Sequence, residues 1–396
     1  MHLFINSLAA SAGGGLTYIR NVLPHLAATP DLHLTVALSP GLKEEFCDLP
    51  NIDFVELECS PARRFWYEQS VLAGLIRRCG ADVLLSTGNF ALRRPPVPQV
   101  LLSRNSIYVS ADYYRDLLSR REYRMWLDTR LRAALAKRSI RWANATVAPS
   151  EAFADELRRW TGARVLAIHH GFDPEGFTRG SSPLSPEVEE KLRSAEGSLK
   201  LLFVSHYNYY RNFETLIQAL PLLRDRVAGR PIKLLLTCSL AAGKNPGAYR
   251  PEAAAELVKK LGVSGMVLEL GEVPYRSLHK VYTSADVYVT PAYTETFAHP
   301  LVEAMACGVP VVASDLPVHR EIAGDAALYF QKFSANELAE TLAQVAQSPE
   351  ALSRMAAVGR ARARHFSWKS HVEKLVELSR SVLNSGQPQR AISLAS

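Results

Sequence analysis

The sequence of 396 residues has no long uninterrupted apolar run. Its opening stretch, MHLFINSLAASAGGG, breaks too early to be a signal segment or a membrane span. Cysteine is scarce. Cys47, Cys59, Cys79, Cys238 and Cys307 are scattered and odd in number, with neither disulfide nor metal spacing. A reducing cytoplasm is the expected compartment. The neighbouring His169 and His170 have no further ligand close in sequence and make a poor metal site. No internal repeat is evident, and 47% hydrophobic with 21% charged residues describes a globular chain rather than a disordered one.

What is present is length and a modest positive charge. A chain of 396 residues is too long for one comfortable core and suits two α/β domains. The net charge of +7 points to anionic partners such as nucleotides or lipid headgroups, and says nothing about fold.

The most informative stretch is 286–330, DVYVTPAYTETFAHPLVEAMACGVPVVASDLPVHREIAGDAALYF. Residues 286–290 alternate and read as a strand ending at Pro291. A polar loop follows over 291–298, and Pro300 suits the first turn of a helix. Leu301, Val302, Met305 and Ala306 give that helix an apolar face, Gly308 stops it, and 309–313 reads as a buried parallel strand. Parallel sheets carry ligands at the carboxyl ends of their strands. Glu295 lies in the loop and Glu303 follows after seven intervening residues, so the two span an elongated ligand with the helix start between them. The N–H groups there favour a phosphate. The plain alternative is that Glu303 complements the helix dipole while Glu295 is solvated.

Glu295-Thr-Phe-Ala-His-Pro-Leu-Val-Glu303 and the EAMACGVPVVAS that continues it closely resemble the E-x7-E motif of retaining glycosyltransferases of family four, which have the GT-B fold. The resemblance implies an α/β fold of two Rossmann-like domains facing each other across a cleft. It implies that Glu295 contacts the donor sugar and Glu303 the ribose, with Phe297, Ala298, His299 and Leu301 placing backbone N–H groups near sugar and phosphate. The family pattern usually has Gly where Thr296 and Ala298 stand. Gly13, Gly14 and Gly15, after a first strand at 1–7 and before a helix at 18–27, resemble the family's glycine-rich loop facing the donor diphosphate. A lone glycine run also serves plain tight turns.

Further positions match with departures. Ser205-His-Tyr-Asn-Tyr-Tyr-Arg211-Asn stands where the family has Gly-Arg and then Lys-Gly, whose cations bind the diphosphate. Arg211 keeps the charge in forked form, whereas His206 leaves half of that clamp pH-dependent. Arg104-Asn105 replaces a His-Asp pair, so that role passes to Arg104 or Asn105 or is filled differently, and Asn105 is kept as a site residue. A surface turn is the plain reading. Tyr275, in GEVPY, stands where relatives seat the base. HHGFDPEGF at 169–177 and Phe366-Ser-Trp368 also look like the family. The implied organisation is an acceptor-side domain at 1–180, a linker at 181–198, a nucleotide-sugar domain at 199–368, and at 369–396 a helix crossing back to the first domain plus a frayed tail.

Residues 115–141 read as one basic amphipathic helix, which either lies on an anionic membrane surface or packs one face on the first domain with its arginines solvated. No Asp-x-Asp occurs, which favours a metal-independent site needing no cofactor. By resemblance, the expected reaction is retaining transfer of a hexose from a GDP- or UDP-linked sugar, with mannose from GDP the candidate of choice. The expected acceptor is a glycan or lipid-linked acceptor of bacterial surface polysaccharide synthesis. The expected setting is cytoplasmic, peripheral at the inner membrane face, with no nucleic acid. A nucleotide-sugar-binding scaffold without turnover, and an epimerase or phosphorylase on the same fold, are the alternatives.

Overall fold

The computed structural model describes residues 1–10, 13–58, 63–227, 229–245 and 247–385. Cys59, residues 11–12 before the glycine run, and the tail from 386 lie outside the described residues. The chain divides into two compact units, one of 1–110, 121–171 and the segment from Ser367 onward, the other of 111–120 and 172–366.

Short runs of β-branched and leucine side chains, each ended by a polar or glycine-bearing turn, become parallel strands, the central ones buried on both faces and the edge strands Ile52–Glu56 and Val267–Glu269 only partly. The first unit carries seven: β1 (His2–Asn6), β2 (His33–Leu38), β3 (Ile52–Glu56), β4 (Val83–Ser86), β5 (Gln99–Leu102), β6 (Ala145–Ala148) and β7 (Val165–Ala167). Their order is β3-β2-β1-β4-β5-β6-β7, and every pairing is parallel. The second unit carries β8 (Leu199–Phe203), β9 (Ile232–Leu236), β10 (Val267–Glu269), β11 (Val287–Thr290), β12 (Val311–Ser314) and β13 (Ala327–Phe330). Their order is β10-β9-β8-β11-β12-β13, again parallel throughout. In the first unit the Trp368–Ser385 helix joins the core, with Trp368, Val372, Leu375 and Val376 packed among Tyr18, Ile19, Val22 and the strands.

Three sequence expectations change. The 181–198 stretch, expected as a linker, is structured. It carries a helix, Pro186–Ser194, with Ser185 as N-cap accepting from the Val188 amide and Pro186 in the first turn. Lys191 Nζ ties it to the Glu269 carbonyl at 2.8 Å. The basic stretch 115–141 is not one helix but two, Ala111–Ser119 and Tyr123–Trp142, broken where Arg121 takes a φ of +58°. The first belongs to the second unit and the second to the first. The glycine run is not a loop, because the helix already starts at Gly13 and runs to Ala27.

Candidate functional site

β8 and β11 are neighbours in the second sheet, so the loops after them leave at the same edge. The first ends in a short 3₁₀ turn, Tyr209–Arg211, and the second is 291–298. The loops are tied directly: the Tyr293 amide donates to the Tyr210 carbonyl at 3.0 Å, and Asn212 Nδ2 donates to the Pro291 carbonyl at 3.0 Å. Asn212 sits at φ +56°, a left-handed position that asparagine tolerates better than most residues.

On this scaffold Arg211 Nη1 pairs with Glu295 Oε1, with side chains only 19% and 9% exposed. Removing charge from water is expensive, so a pair this deep stands only while both partners remain. The guanidinium also lies 5.3 Å from the centre of the Tyr210 ring. Arg211 Nε is buried and has no hydrogen-bond partner among the described residues. A buried donor without a partner is costly, and here it marks unused capacity for an anion.

The helix His299–Ala306 begins just beyond. Its N-cap, Ala298, has φ +62° and ψ +61°. Left-handed backbone costs an L-residue roughly 1–2 kcal/mol, which accounts for the glycine usual there in the family the motif resembles. Phe297 and Leu301 are both 1% exposed, and Phe297 packs edge-on to Phe366 at 5.3 Å. Their side chains are core. The Leu301 amide already donates to the Ala298 carbonyl at 3.0 Å. The His299 ring, partly buried, lies 4.8 Å from that of Phe297.

Glu303 faces a different environment. It is buried, and Tyr282 Oη donates to its Oε2 at 2.8 Å. Burial pushes its carboxyl up to about 7, against the opposing pull of the Tyr282 hydrogen bond. The same burial, reinforced by Glu303, pushes the Cys307 thiol up to about 12. Tyr275, at the start of the Tyr275–Ser284 helix, is 50% exposed, with its ring 5.1 Å from Phe177.

Of the remaining expected residues, His206 lies in the same loop after β8 as Arg211, where it is exposed and its carbonyl accepts from Ser205 Oγ at 2.7 Å. Asn105 belongs to the first unit, where its Oδ1 caps the Ser106–Tyr108 turn by accepting from the Ile107 amide at 3.3 Å. The cation of that pair is Arg104. It donates to the Thr87 and Gly14 carbonyls at 2.8 and 3.4 Å and lies 4.5 Å over Tyr18. Its Nε is buried without a partner among the described residues. Gly13 starts the helix. A Cβ at Gly14 would meet nothing within 4 Å, whereas one at Gly15 would press on Ala10 Cα at 3.2 Å.

Sequence reasoning missed His319. It is fully buried on the Pro317–Ala323 helix, and its Nδ1–H donates to the Ser314 carbonyl at 2.8 Å. Its Nε2 has no partner among the described residues. Burial lowers its pKa to about 4, and the positive charge of Arg211 pushes the same way. The imidazole is therefore held neutral, with Nε2 as an acceptor. The only sequence signal was its place in VHREIA after a buried strand.

Among the described residues, no group of three or more His, Cys, Asp or Glu side chains is placed to hold a metal ion. Among them, too, no helix is long and apolar enough to cross a membrane.

Two family models match the chain, glycosyltransferase family 4 over 12–175 and glycosyl transferases group 1 over 185–362. A D-inositol 3-phosphate glycosyltransferase of Corynebacterium urealyticum is 29% identical over 222 residues, 56% of this chain and 52% of that protein. One from Actinosynnema mirum is 28% identical over 258 residues, 63% of this chain and 60% of that one. The chain thus spans about half the length of the curated relatives it matches. Sucrose-phosphate synthase from Thermosynechococcus elongatus shares the fold at a TM-score of 0.76 and 19% identity, over 97% of this chain and 100% of that one. HepE of Anabaena, solved in complex with UDP-glucose, does so at 0.70 and 16%, over 96% and 100%.

Proposed function

The chain belongs to the glycosyltransferases of group 1 and family four, with the GT-B fold, and we propose that it transfers a hexosyl group from a nucleoside-diphosphate sugar with retention of anomeric configuration. The observation that carries this reading is the buried Arg211–Glu295 pair in the loops after adjacent strands, with Arg211 Nε unpartnered among the described residues. A donor diphosphate takes the guanidinium, forked donors meeting phosphate oxygens, and Glu295 turns to the sugar hydroxyls. Glu303 receives the ribose hydroxyls. The bond from the anomeric carbon to the diphosphate oxygen breaks, and the acceptor oxygen bonds on the same face. The acceptor's hydroxyl proton leaves on the departing diphosphate. Fixed cationic donors lower the barrier by stabilising negative charge as it develops there.

The donor is UDP- or GDP-linked, with mannose from GDP one candidate. The reaction needs no cofactor, and the acceptor is a glycan or lipid-linked acceptor of surface polysaccharide synthesis. Incubation with UDP- and GDP-hexoses and such acceptors, read by mass spectrometry, tests this. A glycosylated product with retained configuration is expected. Donor binding without transfer to any acceptor would favour a scaffold, and release of an epimer would favour an epimerase.

Peripheral membrane contact is the remaining part of this proposal. It is supported by the Tyr123–Trp142 helix, whose solvent face exposes Tyr123, Leu127 and Leu131 at 62%, 55% and 64%. These recur every fourth residue and so form one stripe. Arg124, Arg132, Arg138 and Arg141 are exposed along the same helix, and Asp128 is already paired with Arg132 at 2.8 Å. Apolar anchors among arginines suit an anionic bilayer better than a second copy of the same cationic face. Binding to phosphatidylglycerol vesicles and loss of that binding in Leu127→Glu/Leu131→Glu are expected. Equal binding by both proteins would contradict the contact.

A further inference from the structure

The Ala111–Ser119 helix and Arg120 are part of the second unit, although the chain before Ala111 and after Arg120 belongs to the first. Several of its polar side chains hold it there. Asp112 Oδ2 accepts from Lys332 Nζ at 2.5 Å, and the Tyr113 and Tyr249 hydroxyls meet at 3.2 Å. Asp116 Oδ2 accepts from Tyr293 Oη at 2.8 Å, and its Oδ1 accepts from Arg120 Nε at 2.7 Å. Arg120 Nη1 donates to Glu214 Oε1 at 2.8 Å, an oxygen that Tyr207 Oη reaches at 3.2 Å. The Arg120 guanidinium also covers the Tyr209 ring at 4.3 Å.

These contacts land on both site loops. Tyr293 is two residues before Glu295; Tyr209 is two before Arg211, and Glu214 three after it. We propose that Arg120 and Asp116 are positioning residues, bracing the loop of Arg211 and the loop of Glu295 from a single helix. This rests on the donor-site reading of that pair. Arg120 bonds two carboxylates and stacks on a ring at once, which a planar fork does and a lysine cannot. Displacing a reacting group by ~1 Å costs on the order of 100-fold in rate, so bracing of this kind bears on turnover more than on binding.

The test uses the full chain and two conservative variants, Tyr293→Phe and Arg120→Lys, with Arg211→Ala beside them. Amide hydrogen exchange is followed by mass spectrometry, UDP and GDP binding by calorimetry, and hydrolysis of UDP-glucose and GDP-mannose by release of free hexose. Exchange at 209–212 and 293–296 should quicken by about tenfold or more in both variants, while the strands of the second sheet keep their protection. Hydrolysis should lose about tenfold or more in kcat, with KM and nucleotide affinity changing by less than about threefold. Unchanged exchange in both loops would overturn the proposal. So would exchange that quickens evenly across 199–366, since a general structural role predicts that pattern. If the loops loosen but neither these variants nor Arg211→Ala alters nucleotide binding or hydrolysis, the bracing stands and the donor-site reading fails.

Discussion

Glu295 and Glu303 stand eight positions apart on one loop and helix, and the two ends of that segment are buried in different ways. At the first end a carboxylate meets a guanidinium, and the loops around them are tied to each other and to a helix borrowed from elsewhere in the chain. At the second a carboxyl meets a phenol in a setting that holds its pKa near 7. On the proposed reading the first end exchanges one ionic partner for another. On the same reading the second takes hydroxyl ligands, which donate to a carboxylate and accept from a carboxylic acid. Nucleotide sugars present both kinds of group, so the asymmetry itself favours the proposed donor.

The sharpest way to break the comparison is at the charged end. Arg211→Ala should lower turnover by about 100- to 1000-fold, the scale for losing one preorganised donor to developing charge. It also strands Glu295, so Arg211→Ala/Glu295→Gln is the control that separates catalytic loss from a buried lone charge. Equal kcat in wild type and the double variant would remove Arg211 from the mechanism.

The next effect belongs to the phenolic end. Glu303 keeps its proton in the folded state up to about pH 7 but loses it near 4.5 when unfolded. Between those values the native state binds more protons, so ligand-free stability falls as pH rises, by up to about 3 kcal/mol over the window. Denaturant titrations should show this slope in wild type and a flatter one in Glu303→Gln. Identical slopes would place the carboxyl in an ordinary environment. By the same linkage, ribose hydroxyls that prefer the carboxylate should bind more tightly as pH rises through 7, with proton release measurable in buffers of different ionisation enthalpy.

Two smaller substitutions sharpen the picture. Asn105→Ala removes a cap in the first unit, and should cost about 1 kcal/mol of stability and less than about threefold in rate. A large loss of rate with unchanged stability would instead support Asn105 as a site residue. Ala298→Gly relieves a left-handed alanine and should raise stability by at most about 1 kcal/mol, read as a small rise in denaturation midpoint.

Most of the second unit's site was legible because it is local. Strand, loop, Pro300, apolar helix face and following strand lie within 286–314, and the hydrophobic period and turn residues specify them in order. Arg211 and Glu295 could be named separately, but their pairing depends on β8 lying beside β11, which spacing does not encode. The break at Arg121 was hidden because no glycine or asparagine marks that left-handed turn, and the arginines on both sides read as one amphipathic run. The 186–194 helix was hidden by the Ser-Pro composition that supplies its cap. His319 and Arg104 gave no pattern because their roles lie in what burial leaves unpaired.

The most direct measurement is calorimetric titration of UDP and GDP into wild type and Glu303→Ala, the nucleotide being the part of the donor that Glu303 is assigned to hold. The account predicts that the nucleotide bound by wild type loses about tenfold or more in affinity in the variant, together with the proton release expected of wild type near pH 7. The same affinity in both proteins, with no proton released by wild type, would contradict it.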